Sequence, residues 1–185
     1  DAAMRHAGGI RLDHVMGLKR LWCIPEGASA AEGAYLAMPF RQMMELVARK
    51  SIEHRCVVIG EDLGTVPEGF RDDLDSRNVM GIRVLWFERG EGGAFLPPDR
   101  YPPGSIATTS THDLPTIVGW WKGRDIDWRD RLGQGGDRDE RRRDRAALWH
   151  ALGQSGEPPE VLDTEAVSAI AAHIGATRAP LVLLP

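Results

Sequence analysis

The amino-acid sequence predicts an α/β fold built on a parallel sheet. Short apolar runs alternate with helical segments along the chain, which is the pattern of βαβ units. The chain has 185 residues, one domain's worth and enough to bury a substantial core. Three of the apolar runs end alike, in an acidic residue set among polar and glycine positions. In a parallel barrel such strand ends converge on one face, where catalytic groups collect from different strands.

The first strand is Gly9–Leu12. After a loop rich in glycine and alanine, 27–33, a helix begins near Pro39 and sets Phe40, Met43, Met44 and Val47 on one face at helical spacing. The second strand is 56–59, bounded by Gly60. Pro67 opens a short helix that runs through Leu74, and Asn78 stops it. The third strand is 82–87, and a proline-rich loop, 96–103, leads to the fourth at 106–110. Helical segments follow at 125–132, 138–152 and 164–174, the last with Thr164 as its N-cap. The fifth strand is 181–184. Stretches 133–136 and 153–159 read as loops, not linkers, so residues 1–185 are expected to form one domain with no second one. There is no internal repeat.

Composition narrows the function. With 42% hydrophobic and 27% charged residues and no membrane-length apolar run, the chain reads as soluble and globular. A net charge of −4 gives no reason to expect nucleic acid or an anionic membrane as partner. The arginines of 138–145 are interleaved with Asp139, Glu140 and Asp144, and read as a solvated helix face. Cys23 and Cys56 each sit among apolar residues, and neither belongs to a metal-spaced pair. Two buried free thiols in a reducing cytoplasm are the simpler expectation, with a disulfide as the alternative. The N-terminus has no signal-peptide pattern, and the chain is expected to be cytoplasmic. Both ends look cut: the chain enters in mid-helix, and the last strand stops without a flanking turn.

The chemistry lies in the three strand ends. They read Ile10-Arg11-Leu12-Asp13-His14, Val58-Ile59-Gly60-Glu61-Asp62-Leu63-Gly64 and Thr109-Ser110-Thr111-His112-Asp113-Leu114-Pro115-Thr116. Convergent carboxylates are the equipment of glycoside chemistry, in which a retaining mechanism needs a nucleophile and an acid/base about 5–5.5 Å apart. Each acid taken singly is more often a loop or cap residue; the joint pattern carries the reading. A phosphate loop does not fit 60–64, which lacks both G-x-G-x-x-G and a P-loop lysine. No H-E-x-x-H or two-histidine-one-carboxylate spacing supports a metal site through His6, His14, His54 or His112. Trp120 and Trp121 fit either sugar stacking or packing between helix and barrel.

Gly9 to Leu18 resembles the nucleophile segment of amylomaltases and disproportionating enzymes, the 4-α-glucanotransferases of the α-amylase clan. Gly60-Glu61-Asp62-Leu63-Gly64-Thr65-Val66-Pro67 is similar to their acid/base segment, and Ser110 to Thr116 to the segment holding their third acid. Ile24-Pro25, Gly33-Ala34-Tyr35, Arg83 to Glu88 and Gly119-Trp120-Trp121 add to the likeness, which covers about residues 8–184. The resemblance implies a partial (β/α)8 TIM barrel, roughly the fourth to eighth strands with their helices; a full barrel needs about 250 residues. It implies Asp13 as nucleophile, Glu61 as acid/base and Asp113 as stabiliser of the oxocarbenium-like transition state. Arg11 would keep Asp13 ionised and oriented, since strand residues two apart face one side. His14, Asp62 and His112 would complete the substrate-binding set, Asp62 as an orienting neighbour. The substrates implied are maltodextrins and other α-1,4-glucans, with no cofactor and no metal. Retaining hydrolysis is the nearest alternative, and a non-catalytic carbohydrate-binding remnant is another. Alone, the fragment is expected to be inactive and to self-associate through unpaired barrel edges.

Overall fold

Seven strands and six α-helices follow one another in the computed structural model, which describes residues 1–185. The chain packs as two compact units, Asp1–Ile82 and Arg83–Pro185. The first unit has its own apolar cluster, from Met4 to Val79.

In the first unit, β1 (Gly9–Leu12) leads to a hairpin absent from the sequence reading, β2 (Arg20–Cys23) and β3 (Ala34–Ala37). Helix α1 (Phe40–His54) then returns the chain to β4 (Val57–Gly60), which pairs in parallel with β1. The expected face of α1 is the one that packs: Met44 is fully buried, with Phe40 and Val47 against the same cluster. That cluster joins Val15 and Met16 after β1, Cys56 and Val58 around β4, and Phe70 and Leu74 of α2 (Phe70–Asp75). Pro67 does not start α2. Gly69 adopts φ 70°, and the Phe70 amide donates to the Pro67 carbonyl (3.1 Å), so Pro67 belongs to the preceding turn. Asn78, at φ 54°, does turn the chain after the helix, as a residue tolerant of left-handed backbone can. A parallel bridge then sets Met80 beside Ile59.

The strand β5 (Gly81–Val84) opens a three-stranded sheet with order β5, β6 (Ser105–Thr108), β7 (Leu181–Leu183), and β6 and β7 run parallel. β5 is shorter than the expected 82–87, because residues Leu85–Phe87 form a single 3-10 turn. That turn buries Leu85 and Trp86 and lays the Trp86 ring flat on Trp120, centroids 4.3 Å apart. Four helices follow β6: α3 (Ile117–Lys122), α4 (Arg124–Arg131), α5 (Arg138–Ala151) and α6 (Thr164–Gly175). Helix α3 is unforeseen, although Thr116 caps it by accepting from the Gly119 amide (3.1 Å). Helix α6 is capped by Asp163 and not by Thr164. The Asp163 carboxylate accepts from the Ala166 amide (2.8 Å), so Thr164 is already the first helical residue.

Two further expectations are corrected. The arginine stretch is not wholly a solvated face: Arg141 and Arg145, four apart on α5, turn inward over Trp120 and Trp121 at 4.5 and 4.8 Å. Arg141 also pairs through both guanidinium nitrogens with Asp125, at 2.9 and 2.7 Å. Cys56 is buried, but Cys23 is exposed, since it lies on a hairpin whose residues mostly face outward; both thiols are free. No helix is long and apolar enough to cross a membrane.

Candidate active site

The β1–β4 register decides the first half of the site. It runs from Gly9 opposite Val57 to Leu12 opposite Gly60, so Asp13 and Glu61 are the first residues beyond the ends of two adjacent parallel strands. The ladder continues past the strands, with the Glu61 amide donating to the Leu12 carbonyl (2.9 Å) and the Val15 amide to the Glu61 carbonyl (3.0 Å). Neighbouring strands lie about 4.8 Å apart, so these two acids are neighbours by construction.

Glu61 is almost fully buried, and backbone donors hold both carboxylate oxygens. The His14 amide donates to Oε2 (2.9 Å) and the Leu63 amide to Oε1 (2.8 Å). His14 reaches this position only by adopting left-handed backbone, φ 43°, ψ 58°, a strained choice for a non-glycine residue. Gly60 makes the close approach feasible: a Cβ there would stand 2.9 Å from Val15 Cγ1. Asp13 is exposed, and its carboxylate pairs with the Arg11 guanidinium at 2.6 Å, the same-side contact that strand periodicity predicts.

Asp62 differs from the substrate-binding role implied for it. Its side chain is fully buried, with Oδ1 accepting from the Ile82 amide (2.7 Å) and Oδ2 from Arg71 Nε (2.8 Å). A carboxylate so enclosed has no face for a sugar; it anchors the Glu61 segment to α2 and to the start of β5. Arg71 is the residue missed here, and nothing in its local sequence signals the pairing.

The second unit holds His112 and Asp113, both exposed, with His112 Nε2 3.2 Å from an Asp113 carboxylate oxygen. Hydrogen bonds tie the turn that carries them. Thr108 Oγ1 donates to the Ser110 carbonyl (2.7 Å), Ser110 Oγ to the Pro115 carbonyl (2.8 Å), and the Asp113 amide to Thr111 Oγ1 (3.3 Å). Asp113 borders a cavity of about 440 Å³ whose other walls include Thr116, Arg124, Asp125 and Trp128. Burial raises the Asp125 pKa, but the Arg141 hydrogen bonds and charge outweigh it and hold the carboxyl below the usual range. Trp120 and Trp121 are buried packing residues, with Trp121 Nε1 bonded to the Pro159 carbonyl (2.9 Å). The half-exposed ring on this face is Trp128, which sequence reading passed over.

Known proteins resemble this chain along its length. The family model described as 4-alpha-glucanotransferase matches residues 1–185. A 4-alpha-glucanotransferase of Haemophilus influenzae is 38% identical over 173 residues, 90% of this chain and 25% of the relative. One of Mycobacterium bovis is 37% identical over 195 aligned positions, 98% of this chain and 27% of the relative. The crystal structure of amylomaltase from Corynebacterium glutamicum superposes with a TM-score of 0.79 at 30% identity, over 98% of this chain and 28% of that one. The chain thus spans about a quarter of the length of its relatives. With the α/β fold, the register of Asp13 and Glu61 and a whole-chain match, this protein belongs to the 4-α-glucanotransferase family.

Proposed function

We propose that this chain supplies the nucleophile and the acid/base of an enzyme that moves a segment of one α-1,4-glucan onto another glucan or onto glucose. The observation that carries the reading is the register that sets Asp13 and Glu61 side by side beyond β1 and β4. Neighbouring strands lie about 4.8 Å apart along the backbone, which brings two side chains on the same face within range of the ~5–5.5 Å carboxyl separation that a retaining pair requires.

In the first step the Asp13 carboxylate attacks the anomeric carbon, and Glu61 gives its proton to the departing glycosidic oxygen. A glycosyl ester on Asp13 results. In the second step an acceptor hydroxyl attacks that carbon, the ester bond breaks, Asp13 leaves as carboxylate and Glu61 takes the hydroxyl proton. Arg11 orients the Asp13 carboxylate through their ion pair (2.6 Å). Asp113 binds sugar hydroxyls and steadies the positive charge of the transition state, while His14 and His112 donate hydrogen bonds to the substrate. Asp62 acts one step removed, by holding the Glu61 segment. Carboxylates suffice for both steps, so no cofactor or metal enters. In this reading both units belong to one (β/α)8 barrel of a longer cytoplasmic enzyme acting on maltodextrin, starch or glycogen.

The test uses the full-length protein with maltotriose. Transfer yields glucose together with longer dextrins, whereas steady release of reducing ends without chain growth means hydrolysis and overturns the transferase reading. Asp13→Asn lowers transfer by about a thousandfold or more. Glu61→Gln slows maltotriose by about 10²–10⁴-fold but a glycosyl fluoride far less, because fluoride departs without protonation. Near-normal turnover by a folded Asp13→Asn variant, or equal loss on both donors for Glu61→Gln, removes the assigned roles.

A further inference from the structure

A cavity of about 200 Å³ opens in the second unit between α5 and the junction of α3 with α4. Lys122, Arg138, Arg141, Arg142 and Arg145 line it, and no aspartate or glutamate does. We propose that this cavity binds a phosphoryl group, carried by inorganic phosphate or by a small phosphate monoester.

Helical spacing is the first argument. Arg138, Arg141, Arg142 and Arg145 stand at i, i+3, i+4 and i+7 of α5, so four guanidinium groups share one face. Lys122, the last residue of α3, joins them from a second element. In a chain of net charge −4, such a gathering of cations around one small space is a local reversal of sign.

The placing of the acids is the second. Arg138 pairs with Asp127 and Asp130, Arg141 with Asp125, and Arg142 with Asp139. None of these aspartates lines the cavity; Asp125 borders the 440 Å³ cavity beside Asp113 instead. The acids fix the guanidinium groups without occupying the space between them. Lys122 and Arg145 form no ion pair, so the walls keep a positive surplus.

Arg145 is the third. Its Nη2 donates to the Pro159 carbonyl (2.6 Å), and the guanidinium lies 4.8 Å from the Trp121 ring centre. Its buried Nε has no hydrogen-bond partner. Burial holds the Arg145 pKa below the usual arginine range; Glu160 opposes the shift, and the charge of Arg141 adds to it. Arg145 is thus a fixed cation beside another cation, and an anion between them relieves the repulsion. Planar guanidinium groups meet phosphate oxygens through paired N–H bonds, and a lysine adds a point charge. The volume lies below the range of drug-sized pockets, which selects a small ligand.

The experiment titrates the full-length protein by calorimetry at fixed ionic strength, with inorganic phosphate and separately with glycerol 3-phosphate. Saturable binding is expected. Tighter binding of the monoester assigns the site to an organic phosphate and equal binding to free phosphate, and either result supports it. Lys122→Glu, at an exposed position, weakens binding by about tenfold or more. Arg143→Glu makes a larger charge change than Lys122→Gln on α5 but outside the cavity, and weakens binding by less than about twofold. Should Lys122→Glu fail to fold, Lys122→Gln carries the same test with a loss of about three- to tenfold. Absence of saturable binding by either ligand overturns the site. So do equal losses in the Lys122 and Arg143 variants, which diffuse attraction to a basic helix would produce.

Discussion

Burial treats the ionisable side chains of this chain in different ways. Asp62 is fully enclosed and is tied down by the Arg71 guanidinium and the Ile82 amide. Glu61, nearly as buried, is met by two backbone amides. His173 on α6 has a weaker arrangement: it is almost fully buried, and its Nε2 lies 3.1 Å from the Leu96 carbonyl. Burial lowers its pKa below 6.5, and the carbonyl contact only partly opposes the shift. As pH falls through about 6.5 the unfolded chain therefore takes up the proton before the folded one. The histidine's part in stability is whole above that pH and declines as pH drops toward the folded pKa. Melting temperatures of the full-length protein between pH 7.5 and 5.5 check this. The wild type should lose more than His173→Gln does, and parallel curves would refute the assignment. Leu63 is two residues from Glu61, but the other partners lie too far along the chain for sequence to show them: Ile82 is 20 residues from Asp62, His14 is 47 from Glu61 and Leu96 is 77 from His173.

Among the elements, those with strong periodicity were legible. The α1 face of Phe40, Met44 and Val47 packs as its spacing predicts, and strand β1 has the predicted bounds. The β2–β3 hairpin was not legible, because most of its residues are exposed and its strands lack a clean alternation of apolar and polar positions. The start of α6 went astray by one residue. Asp163 and Thr164 are both capable caps, and only the backbone decides which side chain reaches the third amide. Asp163→Ala should thus destabilise the full-length protein by about 1 kcal/mol, while Asp163→Asn, which keeps an acceptor oxygen, costs much less. Denaturant midpoints of the two variants decide it. Equal effects would mean that the cap contributes nothing.

For the molecule as a whole, the strand order has a consequence for the isolated chain. β1 pairs only with β4, and β7 only with β6, so each presents one edge without a partner strand. Such edges template association with other chains. The chain also spans about a quarter of its relatives, whose remaining length is where further support for a site of this kind would lie. A displacement of ~1 Å at reacting groups can cost about 100-fold in rate. We therefore expect the purified 185-residue chain to self-associate and to show negligible turnover of maltotriose. Size-exclusion chromatography with light scattering and a maltotriose assay test both halves. A stable monomer turning over at a rate near that of the full-length protein would sink the expectation.

The α/β class and the candidate acids are legible in the sequence alone. Alternating strand and helix periods are local properties, and Asp13, Glu61 and Asp113 sit in motifs that survive without knowledge of their neighbours. Tertiary structure decided what depends on contacts distant in sequence. It put Asp13 beside Glu61 through the β1–β4 register and turned Asp62 inward to Arg71. It sank Trp120 and Trp121 beneath the arginines of α5 while leaving Trp22, Tyr35 and Trp128 half exposed. Whether a tryptophan packs or binds is set by what lies on its two faces, and sequence spacing carries no record of that.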